Sequence, residues 1–366
     1  MYVDIVDAVV IGAGQAGLSS SYHLTKRGIS HVVLDAADRP GGAWQHRWDA
    51  LTMHDVHRVS DLPDDPIPNA ADSERANTFV PAYFADFERA HDLPVIRPVK
   101  VRSVRDQDGL LEVTADAGTW LTRTVINATG TWTHPFIPYY PGAETFVGEQ
   151  LHTVDYPGPE EFRGKRVLVV GGGASAVQFL GALRPLTDTV WVTRREPVWR
   201  TGEFTPEIGR EVVARVEERV RQGLPPRSVV SVTGLMLRPQ EREAERLGAY
   251  ERRPMFERIE PDGVRWAGGA FEHLDVILWA TGFRPAIDHL APLHLRGPRG
   301  GIQLDGTTAV VDPRIQLVGY GPSASTIGAN RAGRVAARGV ARWLASENER
   351  IDIEVPRSGA MSIRSS

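Results

Sequence analysis

One folding unit occurs twice along this chain, and that repetition restricts its architecture more than any other feature. The first copy opens on the apolar run Asp7-Ala8-Val9-Val10-Ile11, of the length and β-branched content of a buried strand. Gly12-Ala13-Gly14-Gln15-Ala16-Gly17 follows, then helix-compatible residues to about Lys26 and a second strand, His31-Val32-Val33-Leu34, ending on Asp35. The second copy opens on Arg166-Val167-Leu168-Val169-Val170 and continues with Gly171-Gly172-Gly173-Ala174-Ser175-Ala176. A helix to about Leu183 and a strand Val190-Trp191-Val192-Thr193 complete it, ending on Arg194-Arg195. Each copy is a strand that turns sharply into a helix, the arrangement in which free backbone N–H groups at the helix start face a pyrophosphate.

A lone glycine loop is common as a mere turn, but here both loops sit between a strand and a helix and are followed by a charged strand end. Ala176 stands where the third glycine would be, a replacement the pattern tolerates. Asp35 lies 21 residues after Gly14 and Arg194 lies 21 residues after Gly173, so they hold equivalent positions. An acid there accepts hydrogen bonds from ribose hydroxyls, whereas a base meets a 2′-phosphate. The register therefore predicts FAD in the first unit and NADPH, in preference to NADH, in the second. Arg195 then stacks on adenine or shares the phosphate charge; the plain alternative is two solvated arginines at a strand end.

The duplication extends further. Alternation at Val99, Val101 and Val104 with a turn at Gln107-Asp108-Gly109 predicts a small antiparallel meander leading into Thr124-Val125-Ile126-Asn127-Ala128-Thr129-Gly130. Turns at Pro261-Asp262-Gly263 and Gly268-Gly269 predict another, leading into Asp275-Val276-Ile277-Leu278-Trp279-Ala280-Thr281-Gly282. Each apolar strand ending in Ala-Thr-Gly reads as a return strand passing close to a cofactor. The predicted fold class is α/β, with two Rossmann-like dinucleotide-binding domains, the second inserted into the first. The expected boundaries are 1–155 with 285–350 for the FAD domain, 156–284 for the NADPH domain and 351–366 for a polar tail. Leu317-Val318-Gly319-Tyr320-Gly321 supplies a late strand. Thr326 is the expected N-cap of a helix to about Ser346, with Val335, Val340, Trp343 and Leu344 on its apolar face. A helix start aimed at a flavin stabilises the anionic reduced ring through its dipole. Glu207 to Gln222 reads as an exposed helix with Val212, Val213, Val216 and Val220 on one side, and Arg242 to Tyr250 as another, a candidate cover over the cleft.

Composition removes competing classes. The chain has no cysteine, which excludes thiolate metal sites, iron–sulfur clusters and the redox-active cysteine pair of the flavin disulfide reductases. A formal charge of −4 gives no basic footprint for nucleic acid or an anionic membrane. No apolar run of spanning length and no leader pattern is seen, so a cytoplasmic enzyme is expected. No metal site is expected.

The segment Phe146-Val147-Gly148-Glu149-Gln150-Leu151-His152-Thr153-Val154-Asp155-Tyr156 fits F-x-G-x3-H-x3-Y and resembles the fingerprint of the class B flavin-containing monooxygenases. Gly41-Gly42-Ala43-Trp44 and Arg47-Trp48 resemble that family's loop after the FAD acid. With both glycine loops and both Ala-Thr-Gly strands the likeness covers most of the chain. It is nearest to compact bacterial members, with plant auxin-forming monooxygenases and Baeyer–Villiger monooxygenases as relatives. The resemblance implies cofactor contacts at Gly12, Gly14, Gln15, Ala16, Gly17, Asp35, Ala36, Gly42, Ala43, Trp44, Met53, His54, Val101, Ala128, Thr129 and Gly130. It implies further contacts at Gly171, Gly173, Ala174, Ser175, Ala176, Arg194, Arg195, Ala280, Thr281, Gly282, Gly319 and Ile327.

For the chemistry it nominates His54, His152 and Tyr156, with His57, Trp132 and His134 as further pocket candidates. His152 either takes part directly or organises the hinge between domains. Where the family commonly carries an Asn beside the flavin, this chain has Leu51-Thr52-Met53-His54-Asp55; His54 either hydrogen-bonds a peroxide or lines the pocket. The implied reaction passes hydride from NADPH to FAD and adds dioxygen to give a (hydro)peroxyflavin, shielded by retained NADP⁺. The oxygen then goes to a small sulfide or amine. Two alternatives stand beside this: Baeyer–Villiger oxidation of ketones, whose fingerprint usually ends in Trp where this chain has Tyr156, and an NADPH-dependent reductase passing electrons to a protein partner. The expected partners are a small-molecule substrate and dioxygen, and the sequence is compatible with a homodimer.

Overall fold

The computed structural model describes residues 2–56, 59–200, 214, 216–226, 234–324 and 326–354. Strand β1 (Tyr2–Ile11) sends Ala8 and Val10 to one side of a sheet and Val9 and Ile11 to the other. All four are buried, as a strand covered on both faces requires. It runs into helix α1 (Gln15–Thr25) and returns as β2 (His31–Leu34) parallel to β1. After helix α2 (Ala76–Ala90) come β3 (Val95–Ile96) and a meander of β4 (Val101–Gln107), β5 (Leu110–Ala115) and β6 (Gly118–Asn127). Strand β6 joins β1 on the side opposite β2, so β1 lies between two parallel neighbours.

The chain then builds a second sheet from β7 (Glu149–His152), β8 (Val167–Val170), β9 (Thr189–Val192), β10 (Arg252–Arg253) and β11 (Val276–Trp279). Helix α3 (Ala174–Leu183) follows β8, and helix α4 (Pro239–Arg246) precedes β10. The order is β10-β9-β8-β11-β7, and β8 lies between parallel neighbours just as β1 does. The chain returns to the first sheet through β12 (Leu304–Asp305), β13 (Thr308–Ala309) and β14 (Ile315–Leu317), the last parallel to β6. Helix α5 (Thr326–Glu354) closes the first unit against α1.

Three boundaries differ from the sequence reading. Strand β7 pairs with β11 from Glu149 to His152, so the second sheet begins before residue 156. Helix α5 includes Thr326 and runs beyond Ser346 to Glu354. Near that end Arg123 of β6 holds Glu347 at 2.8 Å and donates to Asn348 at 2.8 Å, which ties the extra turns to the sheet. Residues 216–221 are helical, but Val220 packs in the core of the first unit with Ile287, Leu295 and Tyr320, which places this segment across the two units. The expected positions Val212 and Val213 lie outside the described residues, as does His57. Among the described residues no helix is long and apolar enough to cross a membrane, and no group of three or more His, Cys, Asp or Glu could hold a metal ion.

Candidate active site

The first glycine loop is shaped by contacts that a side chain would destroy. Gly12 has φ +101°, and a Cβ there would lie 2.7 Å from the Ala128 carbonyl oxygen. A Cβ on Gly17 would lie 1.8 Å from the Gly12 carbonyl oxygen, so α1 approaches β1 as closely as backbone allows. Gly14 caps α1, and the short helix Gly42–His46 crosses above it, a Cβ on Gly42 reaching 2.8 Å from the Gly14 Cα. Ala43 and Trp44 continue that roof. Gln15 is buried, its Nε2 donating to the Ser60 carbonyl at 2.9 Å while its Oε1 is enclosed with no partner.

Asp35 ends β2 with its carboxylate buried. Its Oδ2 accepts from the Ala13 N–H at 2.7 Å and its Oδ1 from the Ala37 N–H at 2.8 Å. A carboxylate offers about four lone-pair directions, so roughly two remain for ribose hydroxyls. Arg97, 4.0 Å away and bidentate to Glu88 at 2.7 Å, supports this acid, a pairing the sequence reading missed. Val101 stands near the same end, since the Val99 N–H donates to the Asp35 carbonyl at 2.7 Å. Ala36 is exposed beside it.

The second loop repeats the turn: Gly171 has φ +143°, and a Cβ would lie 2.2 Å from the Ala280 carbonyl oxygen. Here Gly173 caps α3 and a Cβ on it would meet nothing within 4 Å, leaving open space before the helix start at Ala174-Ser175-Ala176. At the end of β9, Arg194 and Arg195 are exposed, and among the described residues no carboxylate pairs with either. Arg252 of β10 joins them, its Nε donating to Thr193 Oγ1 at 2.7 Å. The strand pairing that brings Arg252 here was not visible in the sequence. The donor set at both loops fits dinucleotides: bare backbone N–H groups with an acid at one strand end and bases at the other.

Between the loops the chain crosses twice, and the two Ala-Thr-Gly segments hold the crossing. Thr129 Oγ1 donates to the Ala286 carbonyl at 2.5 Å, and the Ala286 N–H donates to Gly130 at 2.9 Å. Thr281 donates to the Phe136 carbonyl, and the Phe136 N–H donates to Gly282 at 2.9 Å. Gly319 approaches Gly130 within 3.4 Å by the same measure of an added Cβ. Ile327 lies in the second residue of α5.

Two histidines, His152 buried and His289 half-buried, lock these segments. His152 Nε2 donates to the Gly282 carbonyl at 3.0 Å while its Nδ1 accepts from the Val154 N–H at 3.4 Å. Burial pushes its imidazole below the usual range. Both ring nitrogens of His152 are thus engaged with backbone. His289 Nε2 lies 2.7 Å from Asn127 Oδ1 at the end of β6, and burial lowers its pKa to about 4. His134 pairs with Asp288 at 3.0 Å on the exposed side.

Tyr156 is packed rather than poised. Its ring stacks on Phe179 at 4.2 Å and Phe162 at 5.5 Å, with Trp48 edge-on at 5.4 Å. Its hydroxyl is enclosed with no partner, and burial raises its pKa well above the usual phenol range. Tyr156, nominated for chemistry on the sequence, is thus enclosed among aromatic rings. Met53 is half-buried, and its neighbour His54 is 58% exposed with Nδ1 3.8 Å from Asp72. A cavity of about 360 Å³ lies among Trp48, Leu51, Tyr156, Phe179, Leu247 and Tyr250, lined by neither glycine loop.

Residues 9–234 match the family model described as pyridine nucleotide-disulphide oxidoreductase. The chain superposes on a flavin-containing monooxygenase from Stenotrophomonas maltophilia with a TM-score of 0.81 and 37% identity, covering 93% of this chain and 100% of that one. It is 30% identical over 324 residues to a ferredoxin–NADP reductase of Salinispora tropica, covering 86% of this chain and 85% of that one. It is 25% identical over 334 residues to an indole-3-pyruvate monooxygenase of Oryza sativa subsp. japonica, covering 78% of this chain and 76% of the relative.

Proposed function

This chain belongs to the pyridine nucleotide-disulphide oxidoreductases and, within them, to the flavin monooxygenases that work with FAD and NADPH, and from that membership we propose that it oxygenates a small sulfide or amine. The proposed net reaction consumes one dioxygen, one NADPH and one proton per substrate and releases the S- or N-oxide, NADP⁺ and water. FAD belongs in the roofed first loop beside Asp35, and NADPH in the open second loop beside Arg194, Arg195 and Arg252. The opposite charges at these equivalent strand ends, one carboxylate against arginines that no carboxylate among the described residues pairs, carry that assignment. Bound flavin supplies hydride acceptance and dioxygen activation. The chain's part is to place and enclose. The Gly42–His46 helix covers the first loop, the Ala-Thr-Gly segments fix the crossing between units, and His152 and His289 hold that crossing as neutral rings with their protons committed to acceptors. Of His54, His152 and Tyr156, only His54, exposed beside Asp72, keeps its ring accessible to a ligand.

Sulfur or nitrogen is favoured over ketones because the fingerprint ends in Tyr156 rather than Trp. The Salinispora relative supports a second reading, electron delivery to a protein acceptor. One experiment separates all three. FAD-loaded protein is given NADPH and ¹⁸O₂ with methyl phenyl sulfide, N,N-dimethylaniline or phenylacetone, and product label and hydrogen peroxide are measured. Label in the sulfoxide or N-oxide supports the proposal, and label in an ester points to Baeyer–Villiger chemistry. NADPH oxidation that yields no labelled product but reduces added ferredoxin sinks the oxygenase proposal.

A further inference from the structure

Arg47 occupies the point where the two return strands emerge. Trp132 follows Gly130 by two residues and Phe283 follows Gly282 by one, and their rings stack at 5.2 Å. The Arg47 guanidinium lies over Trp132 at 4.4 Å and over Trp44 at 5.5 Å. Its backbone is fixed as well, with Asn77 Nδ2 donating to its carbonyl at 2.9 Å. A stack of Trp44, Arg47, Trp132 and Phe283 therefore runs from the roof of the first glycine loop to the segments that follow both Ala-Thr-Gly turns, where on the assignment above the reacting ends of two nucleotides would meet.

The charge of this arginine is unanswered. Other enclosed arginines have a carboxylate: Arg97, 13% exposed, has Glu88 at 2.7 Å; Arg314, 15% exposed, has Asp312 at 2.7 Å; Arg238, 18% exposed, has Glu241 at 2.5 Å. Among the described residues no carboxylate and no hydrogen-bond acceptor reaches the Arg47 side chain. Its Nε is enclosed without a partner, whereas the terminal nitrogens keep contact with solvent. Burial lowers its pKa only to about 10, so it is a cation at neutral pH. Stacking on indoles offsets part of the desolvation but leaves the N–H donors unused. On the assignment above the pyrophosphates would lie elsewhere, at the starts of α1 and α3, and Arg47 stands at the far end of the Gly42–His46 helix from Gly14.

We propose that Arg47 anchors the anionic head of the substrate, making the substrate class a small organic carboxylate that carries the oxidisable sulfur or nitrogen. This rests on the oxygenase reading above. A planar guanidinium presents a fork of N–H donors that matches a carboxylate.

The test compares 4-(methylthio)benzoate with its methyl ester, the same sulfide with and without charge, on FAD-loaded enzyme. Binding is followed by tryptophan fluorescence in the absence of NADPH, and turnover by sulfoxide formation. Arg47→Met is expected to raise the Kd and KM for the acid about 10- to 100-fold while leaving the ester within about threefold. Arg47→Lys should recover part of the acid's affinity. Equal affinity for acid and ester in the unaltered enzyme, or equal losses for both in Arg47→Met, overturns the proposal. Purification of Arg47→Met without its flavin also overturns it, because the cation then serves the cofactor's own phosphates. If the acid binds through Arg47 but no sulfide is oxygenated, the anchor stands and the reaction class fails.

Discussion

The two glycine loops are copies of one turn, yet one is closed and the other open. In the first, Gly42 is pressed against Gly14 and the acid at the strand end is buried, its oxygens already holding two backbone N–H groups. In the second, nothing among the described residues lies within 4 Å of a Cβ placed on Gly173, and the arginines at the strand end are exposed, with no carboxylate among the described residues paired to them. On the proposed assignment of FAD to the first loop and NADPH to the second, the difference matches residence. A cofactor that must stay needs a roof and a preorganised acceptor, whereas one that enters and leaves on each cycle needs an open door and long-reaching charge. Even the third loop position follows this division, being Gly17 in the closed copy and Ala176 in the open one.

The sharpest way to break the contrast is to move that residue across. Gly17→Ala imports the second loop's side chain into the first, where its Cβ would lie 1.8 Å from a carbonyl that has nowhere to go. We expect purification without flavin and a loss of about 3 kcal/mol of stability, read by flavin-to-protein ratio and denaturant melt. Retention of flavin would show that the two helices tolerate the same spacing. Next in size is the latch on the first return strand. The folded pKa of His289, about 4, lies below the unfolded value near 6.5, so the unfolded chain takes up a proton first as pH falls. The contribution is intact above pH 6.5 and is lost progressively down to about pH 4, at most about 3 kcal/mol. In His289→Gln the stability difference between pH 7 and pH 4.5 should shrink; an unchanged difference would assign the acid sensitivity to other groups.

How much of this was legible follows from how local each feature is. The strand, loop and helix of each unit, and the meanders before each Ala-Thr-Gly, depend on neighbours in sequence, so periodicity and glycine spacing disclosed them. Helix α5 was found but cut short, because its last turns depend on Arg123 from a distant strand. The docking of Val220 on the first unit was missed, since an amphipathic stretch does not say which core it joins. Among the charges at the strand ends, the positions of Asp35 and Arg194 could be read from register, but Arg252 arrives only by strand pairing with β9. His152 and Tyr156 stood out as chemical types, and only packing shows one spending both nitrogens on backbone and the other enclosed among rings. The solitude of Arg47 is likewise tertiary: a sequence shows charges, not which of them lack partners.

The charge difference at the strand ends is tested by Arg194→Gln. Removing one guanidinium from a 2′-phosphate should raise the KM for NADPH about 10- to 30-fold and leave that for NADH within about twofold. Equal losses for both nucleotides would remove the 2′-phosphate assignment and leave the arginine as a solvated strand end.

The smallest effect is the most discriminating. Gly173→Ala adds a methyl group where the structure has no atom within 4 Å, at a residue whose φ of −104° any amino acid adopts. Nothing among the described residues resists it, so melting temperature should stay within about 2 °C and flavin content should not change. On the proposed assignment this space is the path by which a phosphate would reach the start of α3, and a methyl there would keep the backbone N–H groups slightly too far from it. A rise of about threefold in the KM for NADPH, with kcat and flavin content intact, would mean that the vacancy belongs to the ligand alone. A drop in melting temperature of 5 °C or more would mean instead that the second loop is as tightly built as the first, and the division into resident and visiting cofactor would lose its structural basis.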